Sequence, residues 1–296
     1  MKIEENVPLS KLTSLHVGGP ARYVVSVTSD QEIEEAVALA TEKKLPFFVL
    51  GKGSNTLFPD AGYDGVIILM ANRQISFEGD VAIVEAGMFM RLLVVKAHEQ
   101  GLVGLEELAG IPGTIGGAVR GNGGTWHTEV KNVLASATVY RPNADGKYEW
   151  VEMSNAECNF GYRDSIFKKH PDWIVVRVRL NLHKGDVEAG KAAVTKDLTD
   201  RHTKQPYDAP SAGSVFKNPD KGNGVFSGKL IEAAGLKGTV VGGAEISPKH
   251  GNFIVNRGGA TSSDIEQLVN LAKTTVAEKF GVKLEPEIEI VKKGGA

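Results

Sequence analysis

The chain has 296 residues, and 34 lysines and arginines nearly balance 36 aspartates and glutamates, so neither nucleic acid nor a charged membrane surface is expected as a partner. This length, with hydrophobic residues at 42%, predicts on the order of two or three domains with substantial cores. The single cysteine, Cys158, excludes an internal disulfide and a thiolate metal site, and no bound metal is expected.

Neither an export signal nor a membrane span is expected. The opening stretch, MKIEENVPLS, lacks the apolar segment of a signal peptide. No apolar run approaches the roughly 18 residues that a membrane-spanning helix needs. The sequence is therefore expected to be a soluble cytoplasmic protein. It is also expected to be a monomer.

Strand and helix patterns alternate at the start of the chain. Residues 22–28 are rich in β-branched side chains and predict a strand. Apolar residues then recur at helical spacing through residues 29–44, which predicts a helix with Asp30 as its N-cap. The apolar run at 45–50 predicts a second strand, and it ends in a glycine-rich turn.

Strand patterns dominate the middle of the chain, from 61 to 182, with one helix predicted at roughly 88–100. Strands are predicted at 65–70, 81–87, 135–142 and 173–182. In the last of these, alternate apolar residues share one face: Ile174, Val176, Val178, Leu180 and Leu182. The polar stretch 183–190 is a candidate boundary.

Helices and strands also alternate in the last hundred residues, which predicts a compact α+β domain. Helices are predicted at 187–203, 227–236 and 261–281, and strands at 251–256 and 285–291. In the last helix, Ser263 and Glu266 are spaced as a capping box.

Two glycine-rich segments are candidate ligand sites. Residues 49–65 run from an apolar strand into glycines whose backbone N–H groups can converge on a phosphate or pyrophosphate, although neither the Walker A nor the Rossmann spacing is present. A tight turn at the strand exit explains that segment equally well. Residues 109–124 combine glycines with apolar residues, which favours a buried wall against a flat or extended ligand over a close-packed bend.

Three further segments hold reactive side chains. Arg163 lies between aromatic residues, where its guanidinium suits a carboxylate, although a half-exposed structural arginine is the commoner case. Residues 210–219 present Ser214 between small residues and prolines, as a ligand site or an ordinary turn. In 284–291, the alternation places Glu285, Glu287 and Glu289 on one face, either solvated or with one glutamate turned into a pocket.

The order of these segments resembles the UDP-N-acetylenolpyruvoylglucosamine reductase family of flavoenzymes over nearly the full chain. Six motifs in family order support the resemblance: GKGSN (51–55), GIPGTIGGAV (110–119), GYRDSIFK (161–168), SAGSVFKNP (211–219), LKGTVVGGAEISPKHGNFIVN (236–256) and EPEI (285–288). Residues 122–127 depart from the family pattern, and the linker after 182 is short and lacks tyrosine, as in the shorter subtype of the family.

The resemblance implies a three-part α+β fold with a vanillyl-alcohol-oxidase-like FAD-binding region and a C-terminal α+β substrate domain. The implied divisions are 1–60 and 61–185 for FAD, 200–285 for substrate, and 286–296 for a strand returning to the active site. It also implies FAD as cofactor and NADPH as co-substrate. The implied reaction reduces the enolpyruvyl group of UDP-N-acetylglucosamine enolpyruvate, a nucleotide sugar, to give UDP-N-acetylmuramate for peptidoglycan.

The resemblance also implies a role for each matching residue. The catalytic residues would be Arg163, Ser214 as proton donor, and Glu287. The cofactor-binding residues would be Gly51, Lys52, Gly53, Ser54, Asn55, Thr56, Gly110, Ile111, Pro112, Gly113, Thr114, Gly117 and Ala118. The substrate-binding residues would be Lys204, Lys217, Asn218, Lys237 and His250.

Two other functions compete with this one. The first is a flavin-dependent oxidase of the same architecture acting on an alcohol or a sugar. The second is a non-catalytic nucleotide-sugar binder descended from the enzyme. The combination of Arg163, Ser214 and Glu287 argues against both.

Overall fold

The chain forms two compact units that alternate along the sequence. The computed structural model describes residues 1–125, 127–220 and 223–292. The first unit comprises Met1–Glu4, Val24–Gly51 and Val66–Asp200, and the second comprises Glu5–Tyr23, Lys52–Gly65 and the described chain from Arg201 onward. The four-part division given above stays a prediction.

Strands and helices are mixed throughout both units. The strands of the described residues are β1 (Lys2–Pro8), β2 (Pro20–Val27), β3 (Phe47–Leu50), β4 (Thr56–Leu57), β5 (Tyr63–Met70), β6 (Ile75–Glu78), β7 (Val81–Glu85), β8 (Leu102–Val103), β9 (Leu134–Pro142), β10 (Tyr148–Ser154), β11 (Ile174–Asn181), β12 (His183–Lys184), β13 (Ser211–Ser214), β14 (Val240–Val241), β15 (Ala244–Ile246), β16 (Phe253–Asn256) and β17 (Glu289–Ile290). The α-helices are α1 (Asp30–Glu42), α2 (Met90–Glu99), α3 (Ile115–Arg120), α4 (Ile166–Lys169), α5 (Val187–Lys204), α6 (Ser227–Ala233) and α7 (Ser262–Phe280). Among residues 1–125, 127–220 and 223–292, none of these helices is both long and apolar enough to cross a bilayer.

A five-stranded antiparallel sheet, ordered β10-β9-β11-β7-β6, lies in the first unit. Its central strand, β11, buries Ile174, Val176 and Val178 completely, as the alternating pattern predicts. A second sheet has the order β1-β2-β5-β3, in which β3 pairs in parallel with β5. The main strands predicted for the middle of the chain are therefore confirmed.

Helix α1 begins one residue away from the predicted cap. The Ser29 hydroxyl accepts the N–H of Glu32 at 3.3 Å, whereas Asp30 is already the first helical residue. An N-cap needs extended backbone, and Ser29 has it, with φ −141° and ψ 163°. The assignment of Asp30 as the cap is therefore wrong, because two neighbouring residues both carry side chains that suit this position.

The second unit contains the antiparallel sheet β13-β16-β15-β14, with α6 and α7 sharing its core. Ile231 from α6, Ile254 from β16 and Leu268 from α7 are each at most 3% exposed and belong to one hydrophobic cluster. The C-terminal segment is less regular than predicted, since only Glu289 and Ile290 form a strand, β17, which pairs in parallel with β4.

Helix α7 has a capping box, but not the predicted one. The Thr261 hydroxyl accepts the N–H of Asp264 at 3.1 Å, and the Asp264 carboxylate accepts the N–H of Thr261 at 2.9 Å. The box predicted for Ser263 and Glu266 is wrong, because the helix already begins at Ser262. The sequence offers several hydroxyl-bearing residues in a row, and only the backbone decides which one is the cap.

Substitution of the two hydroxyl residues should separate these assignments. We expect Thr261→Ala to lower the free energy of unfolding by about 1 kcal/mol, because it removes the N-cap acceptor. Ser263→Ala, the matched control, should change it by less than about 0.5 kcal/mol, because Ser263 lies inside the first turn. Urea unfolding followed by circular dichroism measures both, and the opposite ranking would contradict the observed cap.

Candidate active site

Two predicted cofactor-binding segments meet inside the first unit, at Gly51 and Thr114. A Cβ on Gly51 would lie 2.4 Å from the Thr114 Oγ1, so only glycine fits there. The Thr114 hydroxyl accepts the N–H of Gly117 at 3.4 Å and begins α3. A Cβ on the exposed Gly117 would meet nothing closer than 3.7 Å, so α3 presents bare backbone at this position. Such a surface suits a flat or phosphate-bearing ligand.

Helix α3 was not predicted, since the sequence analysis treats 109–124 as a glycine-lined wall. Two glycines within its six residues lower its helix propensity, and its burial overrides that preference. The signal that could have revealed it is Thr114, a good N-cap residue before an apolar segment. Of the other predicted cofactor residues here, Gly110 and Ala118 are buried, Ile111 and Gly113 are half-buried, and Pro112 is exposed.

The remaining predicted cofactor residues form a loop in the second unit. Gly53 has φ +62°, and a Cβ on it would lie 2.3 Å from the Leu12 carbonyl oxygen. The Gly53 carbonyl accepts the N–H of Ser14 at 3.1 Å. Lys52 and Asn55 are exposed, Ser54 is half-buried and Thr56 is buried in β4. The loop therefore packs closely against the main chain near Leu12, and Gly53 is needed because a side chain at this position would clash with it.

Asp60 anchors the far end of this loop to α7. Its carboxylate accepts the N–H groups of Ser262 at 2.8 Å and Ser263 at 3.2 Å, and its own N–H donates to the Ser262 hydroxyl at 2.9 Å. A carboxylate at a helix N-terminus is favoured by the helix dipole. Asp60 was not predicted from the sequence, because its role depends on a contact between distant parts of the chain.

Asn55 and Glu287 lie together in the second unit. The Asn55 Nδ2 donates to the Glu287 carbonyl oxygen at 3.0 Å, and the Asn55 carbonyl accepts the N–H of Glu289 at 2.8 Å. These bonds continue into the short β4–β17 pairing. The structure thus brings a predicted cofactor residue into contact with the segment of the predicted catalytic glutamate.

Ser214 and Glu287 are joined through the main chain of Val215. Ser214 is half-buried at the end of β13, and Gly213 before it has φ +75°. The Val215 carbonyl accepts the N–H of Glu287 at 2.8 Å. Buried Asn252 holds the same strand end, since its Oδ1 accepts the N–H of Phe216 at 2.9 Å and its Nδ2 donates to the Phe216 carbonyl at 2.8 Å. Asn252 was predicted only as part of a strand, and its contacts with Phe216 were not predicted.

Lys217 and Asn218 follow Ser214 and make contacts within the protein. The Lys217 ammonium lies 2.6 Å from a Glu285 carboxylate oxygen, and its side chain is 19% exposed. The Asn218 Oδ1 accepts the N–H of Ser227, at the start of α6, at 3.1 Å. The loop after Ser214 is thus tied both to the C-terminal segment and to α6.

Lys237 and His250 are two further residues of this unit that were predicted to bind substrate. The Lys237 ammonium lies 3.0 Å from Glu232, and the His250 Nδ1 accepts the N–H of Asn252 at 3.1 Å. Burial lowers the pKa of the His250 imidazole below its ordinary value of 6.5, and the charge of Lys237 lowers it further. Lys204, the remaining predicted substrate residue, is exposed at the last position of α5.

Arg163 belongs to the first unit and lies in a tight turn. Its φ is +53°, and the flanking Gly161 and Asp164 bond to each other through both N–H groups, at 2.9 and 3.3 Å. The Arg163 Nη2 donates to the Gly124 carbonyl at 2.9 Å. The stretch 122–125, part of the stretch that departs from the family pattern, therefore lies against the predicted catalytic arginine, while residue 126 lies outside the described chain.

The grouping of the predicted residues follows the two units. Asn55, Ser214 and Glu287 share one hydrogen-bonded region of the second unit. Arg163 and the segment 110–118 lie in the first unit. Within the part of the chain that the structure describes, no three histidine, cysteine, aspartate or glutamate side chains are arranged to hold a metal ion.

The fold and the glycine-lined surface define a flavin-binding α+β protein. Residues 21–152 match the FAD binding domain family, and residues 205–291 match the C-terminal domain of UDP-N-acetylenolpyruvoylglucosamine reductase. The chain belongs to the UDP-N-acetylenolpyruvoylglucosamine reductase family, and FAD is its cofactor. The α+β flavoenzyme fold expected from the resemblance is therefore confirmed.

Individual relatives match over almost the whole chain. The reductase of Alkaliphilus oremlandii is 41% identical over 287 residues, which cover 96% of this chain and 91% of the relative. The reductase of Caldanaerobacter subterraneus subsp. tengcongensis is 40% identical and covers 98% of this chain and 94% of the relative. The crystal structure of the Thermus caldophilus reductase superposes with a TM-score of 0.82 at 38% identity, covering 98% of this chain and 99% of that one.

Gly51→Ala should weaken FAD binding. The added methyl group would lie 2.4 Å from the Thr114 Oγ1 and would force the two glycine segments apart. We expect the dissociation constant for FAD to rise on the order of 10- to 100-fold, because a sub-ångström misfit in a close-packed site costs a few kcal/mol. Flavin fluorescence titration of the apoprotein measures it.

Gly121→Ala is the matched control for this test. A Cβ on Gly121 would meet only the Gly117 carbonyl, at 3.7 Å, and the φ of −96° suits alanine. Its dissociation constant should stay within about 2-fold of the parent. Equal FAD binding by Gly51→Ala and the parent protein would contradict the proposed contact between the two segments.

The lowered pKa of His250 predicts a specific pH dependence of stability. The folded state disfavours the imidazolium, so His250 stabilises it fully above pH 6.5, and this contribution is lost as the pH falls below 6.5 through the lowered folded-state pKa. Between about pH 7 and pH 5, the free energy of unfolding should therefore fall less steeply for His250→Gln than for the parent. His183→Gln, at an exposed histidine, is the comparison variant, and parallel curves for His250→Gln and the parent would contradict the prediction.

Proposed function

We propose that Ser214, Arg163 and Glu287 act directly on the substrate in the reaction of this family. The chain is an FAD-dependent oxidoreductase that reduces UDP-N-acetylenolpyruvoylglucosamine, a nucleotide sugar, in peptidoglycan precursor synthesis. NADPH is the reductant. The segments 51–56 and 110–118 would hold FAD, which when bound would supply hydride transfer from NADPH to the substrate.

Ser214 is the proposed proton donor. Hydride addition at the carbon β to the substrate carboxylate leaves negative charge on the α carbon and the carboxylate oxygens, and the α carbon then needs a proton. A serine hydroxyl is a weak acid, so this transfer requires close approach to a strongly basic carbon. A Cβ on the neighbouring Gly213 would meet nothing within 4 Å, which leaves room for the substrate beside Ser214.

Arg163 and Glu287 are the proposed stabilisers of the developing charge. The guanidinium of Arg163 supplies a fixed positive charge and a planar set of donors for a carboxylate. Glu287, in its protonated form, would donate a hydrogen bond to a carboxylate oxygen of the substrate. Both side chains are half-buried, which keeps part of the water away from them.

The nucleotide-sugar portion of the substrate fits the basic residues of the second unit. We assign Lys204, Lys217, Lys237 and His250 to the diphosphate and the sugar, and Asn218 to the substrate near Ser214. The ion pairs of Lys217 with Glu285 and of Lys237 with Glu232 hold these ammonium groups in place. A bound diphosphate would share or replace those carboxylate partners.

The observation that supports these residue roles best is the hydrogen bond from the Glu287 N–H to the Val215 carbonyl, at 2.8 Å. This bond joins the main chain of Glu287 to Val215, the residue that follows Ser214. Family membership favours the reductase over the oxidase and over the non-catalytic binder. We further propose that the protein is a cytoplasmic monomer and that it does not bind nucleic acid. The near balance of 34 basic and 36 acidic residues supports the absence of nucleic-acid binding.

Ser214→Ala should separate the two half-reactions. Reduction of the bound flavin by NADPH should stay within about 2-fold of the parent, because it needs no proton from Ser214. Reoxidation by the enolpyruvyl nucleotide sugar should slow by roughly 10²- to 10⁴-fold, because a positioned proton donor contributes that much. Anaerobic stopped-flow measurement of flavin absorbance follows both steps.

Ser211→Ala is the matched control, since Ser211 lies on the same strand and is also half-buried. Both half-reactions should run at the parental rate in this variant. Reoxidation of Ser214→Ala at the parental rate would show that another group donates the proton.

A further inference from the structure

The turn that carries Arg163 is conformationally unfavourable and needs support from its surroundings. Arg163 has φ +53°, in the left-handed region that non-glycine residues avoid. Such a conformation persists when neighbouring contacts fix it, and it is frequent at functional sites. The contacts that fix this turn are therefore part of how the guanidinium is placed.

Lys168 makes the most direct of these contacts. Its ammonium donates to the carbonyl oxygen of Arg163 itself, at 2.7 Å, from the helix α4 that follows the turn. The bond is charge-assisted and partly buried, which strengthens it. It orients the peptide group on the C-terminal side of Arg163. The next residue, Lys169, is exposed.

The rest of the turn is fixed to residues 120–124. Fully buried Asn122 donates through Nδ2 to the Gly161 carbonyl at 2.8 Å. The Ser165 hydroxyl donates to the Arg120 carbonyl at 2.6 Å. These bonds hold both flanks of the turn against residues 120–124. The Gly124 carbonyl of the same segment accepts an N–H from the Arg163 Nη2. The Lys168 bond adds a contact made directly to the main chain of Arg163.

We propose that Lys168 is a positioning residue for Arg163 in the reduction of the enolpyruvyl group. It does not act on the substrate, but it holds the Arg163 backbone so that the guanidinium keeps one orientation at Gly124. This inference rests on the proposed role of Arg163. It explains why the segment GYRDSIFK ends in a lysine, a residue to which the sequence analysis assigned no role.

The test compares half-reactions in three variants of the FAD-bound protein with those of the parent. Lys168→Met keeps the length of the side chain and removes the donor, Lys168→Arg keeps a donor, and Lys169→Met is the matched control. In Lys168→Met, reoxidation of the reduced flavin by the enolpyruvyl nucleotide sugar should slow on the order of 10- to 100-fold, because small misplacements of a catalytic group cost that much. Reduction by NADPH should stay at the parental rate, Lys168→Arg should recover most of the loss, and Lys169→Met should match the parent.

A double-mutant cycle with Arg163→Ala completes the test. If Lys168 acts through Arg163, Lys168→Met should not slow reoxidation further in the Arg163→Ala protein. Parental reoxidation by Lys168→Met, together with slow reoxidation by Arg163→Ala, would overturn this inference and leave the proposed function standing. Parental reoxidation by Arg163→Ala would overturn the proposed role of Arg163 itself. Equal slowing of both half-reactions by Lys168→Met would identify a structural role and also overturn the inference.

Discussion

The backbone hydrogen bond between Glu287 and Val215, at 2.8 Å, is the constraint on which the candidate site in the second unit depends. It fixes the C-terminal segment beside the strand end that carries Ser214. Asn252 adds to this constraint, because one buried amide both accepts from and donates to the main chain of Phe216. A buried amide that makes both kinds of bond specifies a single register of the strand end. The positions of Ser214 and Glu287 therefore follow from main-chain geometry, and their side chains need no direct bond to each other.

The turn that carries Arg163, in the first unit, is also held in one conformation, but by side chains that bond to main-chain carbonyls. Its backbone adopts a left-handed conformation that costs roughly 1–2 kcal/mol for a non-glycine residue. Four side chains donate hydrogen bonds to main-chain carbonyls here and offset this cost: those of Asn122, Ser165, Lys168 and Arg163 itself. In the proposed role of Arg163, this fixed position of the guanidinium would lower the entropy lost when the substrate binds.

Local patterns predicted the interiors of the helices and strands well but not their ends. In β11 and α7, the spacing of the apolar residues predicts which face is buried, and these residues are buried in the structure. At the start of α7, hydroxyl groups occur at three successive positions, Thr261, Ser262 and Ser263. Only the extended backbone at Thr261 makes it the cap. Helix α3 went unrecognised because its glycines weaken the local preference, whereas tertiary burial of Ile115 and Val119 stabilises it.

The sequence alone determined the α+β class, the order of the glycine-rich motifs and of those that carry the proposed catalytic residues and, through them, the family. These are properties of composition, spacing and residue type, which tertiary contacts do not alter. The tertiary structure decided that Thr114 leaves no space for a side chain at Gly51, that Asn252 holds the Ser214 strand end, and that Lys168 binds the Arg163 carbonyl. Most of these contacts join residues far apart in the chain, and even the short-range one depends on a left-handed turn at Arg163. Periodicity describes one segment at a time, so it contains no information about which distant backbone groups will meet when the sheets and loops close.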